Sequence, residues 1–195
     1  MKKPWLILVL IVAAALAVIV HWPRHPRTYD LPPALDAGQL AALSDGQIVY
    51  AATMELSYSL ADVAPADLAA HGQNLPEAAR HLLALSWLVD DNGPVSQPKF
   101  LGFAHLLAST APHLPTLTDI AAAYRAIGAP GPAAVVEEAQ QLAAKAGWKP
   151  GAGPDPFGTV DRALVEQSTT CDVVRLLRAY VRANIADIAA VRAQL

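Results

Sequence analysis

Cysteine is nearly absent: Cys171 stands alone in a chain of 195 residues. A single thiol excludes an internal disulfide and any CxxC redox or zinc arrangement. It leaves the compartment open, because an exported protein can simply lack disulfides. Charge is scarce too, at 16% of residues, and the acids are scattered. No stretch of Val, Ile and Thr alternates with period two, so no half-buried strand is expected. Nor is there a G-x-S-x-G elbow, a Walker A glycine loop or a GxGxxG turn, which removes the sequence marks of serine hydrolases and nucleotide-binding folds.

What is present is apolar. Hydrophobic residues make up 54% of the chain, alanine is abundant, and there are 16 prolines. That is too apolar for a disordered protein and large enough for a real core, in one domain or one domain plus an appendage. Much of the excess lies in the first 22 residues, whose only charges are Lys2 and Lys3. Without them 12 bases face 17 acids, a net charge of −5. Such mild acidity offers no footprint for phosphates, so nucleic acid is not an expected partner.

The opening "MKKPWLILVLIVAAALAVIVHWPRHPR" has no Asp, Glu, Lys or Arg between Lys3 and Arg24. Trp5 and Trp22 bracket the apolar run. As a helix it would hold them roughly 26 Å apart, close to the ~30 Å hydrocarbon thickness, with tryptophans at both interfaces. Pro23 and Pro26 then stop it. Residues 1–22 are therefore read as a transmembrane anchor that meets the bilayer through residues 4–22. The alternative is a signal peptide, for which Ala15-Leu16-Ala17 supplies a small-x-small cleavage pattern. Cleavage there would leave Val18-Ile19-Val20 exposed, which favours the uncleaved anchor. Lys2, Lys3 and the amino terminus outweigh Arg24 and Arg27 in setting a cytoplasmic N-terminus. The expected location is the inner membrane, single-pass, with the soluble domain in the periplasm. Residues 23–33, rich in proline, read as an extended stalk.

From residue 34 to 195 the punctuation is helical. Asp36 with Gln39, Ser44 with Gln47, and Thr116 with Asp119 have the spacing of capping boxes. The helix from Ser44 runs to about Asp62, with Val49, Ala52, Leu56 and Leu60 on one face. Pro65 opens a short helix ending near Gly72. Pro76 opens another through Val89, with Ala79, Leu82, Leu83, Ser86 and Trp87 inward. Phe100, Phe103, Ala104 and Leu107 repeat at helical spacing up to about Ser109. Gly128 and Gly147 mark helix ends around a segment opened by Pro130 and Pro132. Thr159 caps a short helix, and Thr169 with Asp172 begins the last one. The expected architecture is all-α: one compact domain of about seven to nine helices behind a single N-terminal transmembrane helix.

Several pieces occur in a recognisable order: "LSWLVDDNG", an aromatic-bearing helix, "AAAYRAIGAPGPAAVVEEA", "PDPFGTVDRAL" and "LLRAYVRANIADI". Over about residues 40 to 190 this resembles the DNA-mimic-protein family, small all-helical bacterial domains of largely unknown function. The most specific parts are Ile127-Gly128-Ala129 and the closing Tyr180-x-x-x-Asn184. The family carries Asn-Asn-Gly-Gly-Phe after its Trp-bearing helix, whereas this chain reads Asp91-Asn92-Gly93-Pro94-Val95 and lacks the Gly-Phe pair. The charge mimicry in the family's name is not carried over, because Arg175, Arg178 and Arg182 put positive charge into the last helix.

The polar turn Asp90-Asp91-Asn92-Gly93 invites comparison with a calcium loop. Aligning Gly93 with the invariant glycine puts Leu88 and Lys99 at the first and twelfth positions, where carboxylates are required. Asn92-Gly93 instead suits a left-handed helix end, and Pro94 prevents continuation. Pro94 and Pro98 lower the ordering cost of presenting Val95, Ser96 and Gln97, which makes this tip a candidate interaction loop. Arg175, Arg178 and Arg182 form a stripe opposite Val174, Leu177, Val181 and Ile188. It reads as a solvated face, or as a docking strip for an anionic lipid or acidic partner.

The histidines lack ligand spacing: Pro23 separates His21 from His25, while His71, His81, His105 and His113 stand alone and read as structural. Cys171 falls in the first turn of the expected final helix, where a dipole lowers a thiol pKa, yet no histidine lies near it in sequence. Adjacent Glu137 and Glu138 point apart. No metal, cofactor or catalytic residue is therefore assigned. The leading expectation is a membrane-anchored, non-catalytic interaction domain of the bacterial envelope with an unidentified protein partner. The rivals are an enzyme assembled from distant loops, using residues such as His105, Asp90 or Asp119, and a cytoplasm-facing charge-mimic inhibitor of a DNA-binding protein.

Overall fold

A computed structural model describes residues 33–61, 63–64, 66–86, 88, 102–108, 115–151 and 153–193. The expected anchor over residues 1–22, the polar turn at 90–93 and the loop residues Val95, Ser96 and Gln97 lie outside them. Among the described residues the chain is all-helical, with ten helices and no strand. They are α1 (Ala37–Ala41), α2 (Asp45–Ala61), α3 (Leu68–Asn74), α4 (Glu77–Ser86), α5 (Phe103–Ala108), α6 (Leu117–Ala126), α7 (Pro130–Ala146), α8 (Gly158–Thr170), α9 (Val173–Ala183) and α10 (Ile185–Ala193). None of these is long and apolar enough to cross a membrane.

Helix ends follow local chemistry. The capping boxes at Asp36–Gln39 and Thr116–Asp119 are complete, each satisfying donors on both sides of the first turn. At Ser44 the contact is made by Gln47, whose Oε1 accepts from the Ser44 hydroxyl at 2.7 Å. Gly128 has φ +82, and Ala129 N–H donates to the Tyr124 carbonyl at 2.8 Å while Gly128 N–H donates to Arg125. This is a Schellman end, which requires a left-handed residue after the helix. Gly147, at φ +56, closes α7 in a related way, with Trp148 N–H on the Ala143 carbonyl.

Several ends differ from those read in the sequence. The helix expected from Pro65 begins at Leu68 and continues to Asn74. The one expected to reach Val89 is described over Glu77–Ser86, and Val89 lies outside the described residues. Thr159 does not cap α8: that helix starts at Gly158 after Phe157, runs 13 residues, and puts Thr159 inside its first turn. Thr169 belongs to the end of α8, and Asp172 itself caps α9 by accepting from Arg175 N–H. The expected single closing helix is two. Asn184 separates them, its Nδ2 donating to the Tyr180 carbonyl at 2.8 Å. That side-chain bond competes for an acceptor at the helix end, and the break makes the tenth helix.

Helix α4 sits at the centre of the packing, against α2, α6, α9 and α10. Its buried residues are Ala78, Ala79, Leu82, Ala84 and Leu85, followed by Leu88, whereas Leu83 and Ser86 are only half-buried. The inward face is thus turned relative to the expected stripe, because four helices surround α4 rather than one flank. On α2 the inward residues are Ile48, Val49, Ala52, Glu55, Leu56 and Ser59, with Leu60 half-buried. Phe103, Tyr124 and Phe157 are the largest fully buried side chains. Phe157 meets Phe103 at 6.2 Å and the edge of Trp148 at 5.2 Å, joining α5, the loop after α7 and the start of α8.

Candidate functional site

Two titratable rings from different helices meet where α4 faces α9. Glu77 and His81 are one turn apart on α4, so both project from the same side. Leu82 and Leu85, turned inward, hold the helix in place. Tyr180 lies on α9, four residues before the break at Asn184. The His81 Nδ1 and the Tyr180 hydroxyl are 2.8 Å apart, with ring centroids at 6.0 Å and an interplanar angle of 55°. On the other side of the ring, Nε2 is 3.8 Å from the Glu77 carboxylate, which is 76% exposed, while the His81 side chain is only 15% exposed.

The electrostatics keep this pair neutral. Burial pushes the His81 pKa below 6.5, the Glu77 and Asp119 carboxylates oppose that, and Arg80 reinforces it. Burial also raises the Tyr180 phenol above 10, with Glu77 and Asp187 adding to the effect. A proton on Nε2 faces Glu77 and leaves Nδ1 to accept from the Tyr180 hydroxyl, so this tautomer suits the hydrogen bond and the nearby carboxylate charge. The phenol is not activated as a nucleophile. The geometry provides a hydrogen-bonded tie between two helices.

The residues singled out from the sequence are distributed otherwise. Asp119 completes the cap of α6, accepting from the Thr116 amide at 2.8 Å and its hydroxyl at 2.6 Å. His105 is exposed on α5, and Asp90 lies outside the described residues. Arg175 is exposed beside Asp172 at 3.4 Å. Arg178 is half-buried, with no acceptor at its Nε. Arg182 binds the corner between α1 and α2, donating to Asp45 at 2.7 and 3.0 Å and to the Leu43 and Ala41 carbonyls at 3.0 and 3.3 Å. The three arginines share a helix but not a role. Glu137 pairs with Arg125 across the α6–α7 turn, while Glu138 is exposed.

Cys171 is not at a helix start. It follows α8, where its thiol donates to the Gln167 carbonyl at 2.9 Å. Burial and the neighbouring Asp172 charge push its pKa up, opposite to the direction a helix N-terminus would give. Close by, burial takes the Tyr124 phenol up to about 12, with Ser168 and Cys171 next to it. Among the described residues no three His, Cys, Asp or Glu side chains gather as a metal set.

Two polar roles escaped the sequence reading. Asp161, on α8, accepts from the Phe103 amide at 2.9 Å and so caps α5 from another helix. No local spacing could reveal this, since 58 residues separate the partners. The His81–Tyr180 contact spans 99 residues. Its one sequence signal was Tyr180 itself, part of the Tyr-x-x-x-Asn segment. No protein-family model, curated protein or solved structure matches the chain.

Proposed function

We propose that this chain is a membrane-anchored, non-catalytic protein-interaction domain of the bacterial envelope. The first 22 residues hold it in the inner membrane, and the helical domain stands in the periplasm. The observation that carries the reading is the use of the polar side chains. Arg182, Asp161, Asp119 and the His81–Tyr180 pair each close a helix end or link two helices. A fold that employs its charged groups this way presents a rigid helical surface rather than a reacting centre. An enzyme built on Asp119 draws less support, because that carboxylate is committed to the α6 cap. The DNA-mimic-protein resemblance belongs to this proposal. Its two most specific segments are both helix terminations, at Gly128 and at Asn184, so it speaks for a shared helical architecture and leaves charge mimicry aside.

The partner-binding element proposed is the loop tip Val95, Ser96 and Gln97. Affinity capture of the full-length protein from intact cells, with partners identified, tests it. The double variant Val95→Asp with Gln97→Ala is expected to lose its captured partner without a change in melting temperature. Undiminished capture by that variant moves the site elsewhere, and Arg178→Glu then tests the α9 face. Capture lost together with the melting transition would mean that the loop serves the fold instead.

A further inference from the structure

We infer that the His81–Tyr180 contact is an acid-sensitive tie, through which protonation of one imidazole loosens α9 from the central helix α4. The inference is independent of how the protein is anchored. It begins with the two sides of the ring. Toward α9, Nδ1 meets the Tyr180 hydroxyl at 2.8 Å inside the fold. Toward solvent, Nε2 stands 3.8 Å from an exposed carboxylate on its own helix. A neutral ring can accept from Tyr180. A protonated ring has no acceptor, so the phenol must turn, offer its oxygen, and leave its own hydrogen to find another partner in a half-buried place. At the same time the imidazolium is drawn outward to Glu77. Protonation thus reverses the bond between helices, strands the phenol hydrogen, and sets an ion pair within one helix against that contact.

The charges that face the pair come from every side. Glu77 and Arg80 lie on α4, Asp119 on α6, and Asp187 on α10 acts on Tyr180. Glu77 and Asp119 favour the charged ring, and Arg80 with burial opposes it. Burial is the largest of these effects. The folded state therefore binds this proton less readily than the unfolded chain does. The contribution is fully present above pH 6.5 and is lost as the pH falls through the lower folded value. Asn184 amplifies the consequence, since Tyr180 also carries the carbonyl that receives the Asn184 side chain at the start of α10.

The test uses the full-length protein in detergent micelles. The His81 ring is followed by NMR across about pH 5 to 8, and amide exchange in α9 and α10 is measured at both ends of that range, corrected for intrinsic rates. The expected results are a His81 midpoint below 6.5 and faster exchange in α9 at the acid end. His81→Gln should abolish the acid-dependent part of that exchange. Tyr180→Phe should raise the His81 midpoint, because the neutral ring loses its donor. Glu77→Gln should lower it, because the charged ring loses its partner. A wild-type midpoint at or above 6.5 would overturn the inference. So would acid-dependent exchange in α9 that persists unchanged in His81→Gln.

Discussion

Asp161 shows what a single side chain does here that its neighbours in sequence do not predict. Gly102 precedes α5 with φ +100 and has no side chain to cap the helix. The Asp161 carboxylate fills that role, with one oxygen on the Phe103 amide. Burial raises its pKa, the Phe103 hydrogen bond opposes the shift, and the Asp155 charge adds to it. Removing the acceptor and removing the charge should therefore have different effects. Asp161→Ala should cost about 1 kcal/mol, as for other lost caps, read from urea melts. Asp161→Asn retains an acceptor and should cost far less. The folded pKa is raised, so the ionisable group favours folding at low pH and that advantage is lost as the pH rises above 3.8. Asp161→Asn should accordingly gain on wild type between acid and neutral conditions. Equal losses for both variants at neutral pH would reject the cap. Cys171 departs from its expected place for a related reason. Asp172 takes φ +49 and caps α9 three residues later than the Thr169 spacing implied, which leaves the thiol at a helix end. Backbone reversals of this kind are hard to see when the residue is not glycine.

At the scale of helices, the ends that rest on local chemistry were legible. Asp36–Gln39, Thr116–Asp119, Gly128 and Gly147 all act through residues three to five apart, and the structure uses each one. The ends that depend on tertiary surroundings were not. Nothing in "LLRAYVRANIADIAAVRA" announces a break, because Asn is tolerated in helices and its bond to the Tyr180 carbonyl is visible only in space. The arginine stripe of α9 has the right period, and period alone cannot say what each guanidinium meets. Arg182 covers carbonyls at the end of α1 and pairs with Asp45 in the first turn of α2, where both helix dipoles favour the arrangement. Arg182→Ala should then lower stability by about 1 kcal/mol. Arg182→Lys should restore less than half of it, since an ammonium cannot fork between carbonyl and carboxylate. Arg175→Ala, at an exposed pair within one helix, should stay within about 0.5 kcal/mol of wild type. Denaturant melts of the three variants check this. An Arg182→Ala variant as stable as wild type would return that residue to a docking face.

For the molecule as a whole, the absence of a two-residue period and the density of caps were enough to read an all-helical chain. The apolar face of the segment opened by Pro76 was enough to mark that helix as central, and α4 does pack against four others, but which four was not readable. Membrane attachment rests on the first 22 residues, read from hydropathy, flanking tryptophans and charge, and it is the claim on which the proposed function depends. Alkaline carbonate extraction of membranes from cells making the full-length protein, beside cells making a chain that starts at Tyr29, addresses it directly. The account predicts full-length protein in the membrane pellet with its N-terminus intact, and the shorter chain soluble, helical and cooperatively folded. A mature N-terminus at Val18 would establish cleavage instead. Full-length protein released into the carbonate supernatant would contradict the spanning helix and the envelope role built on it.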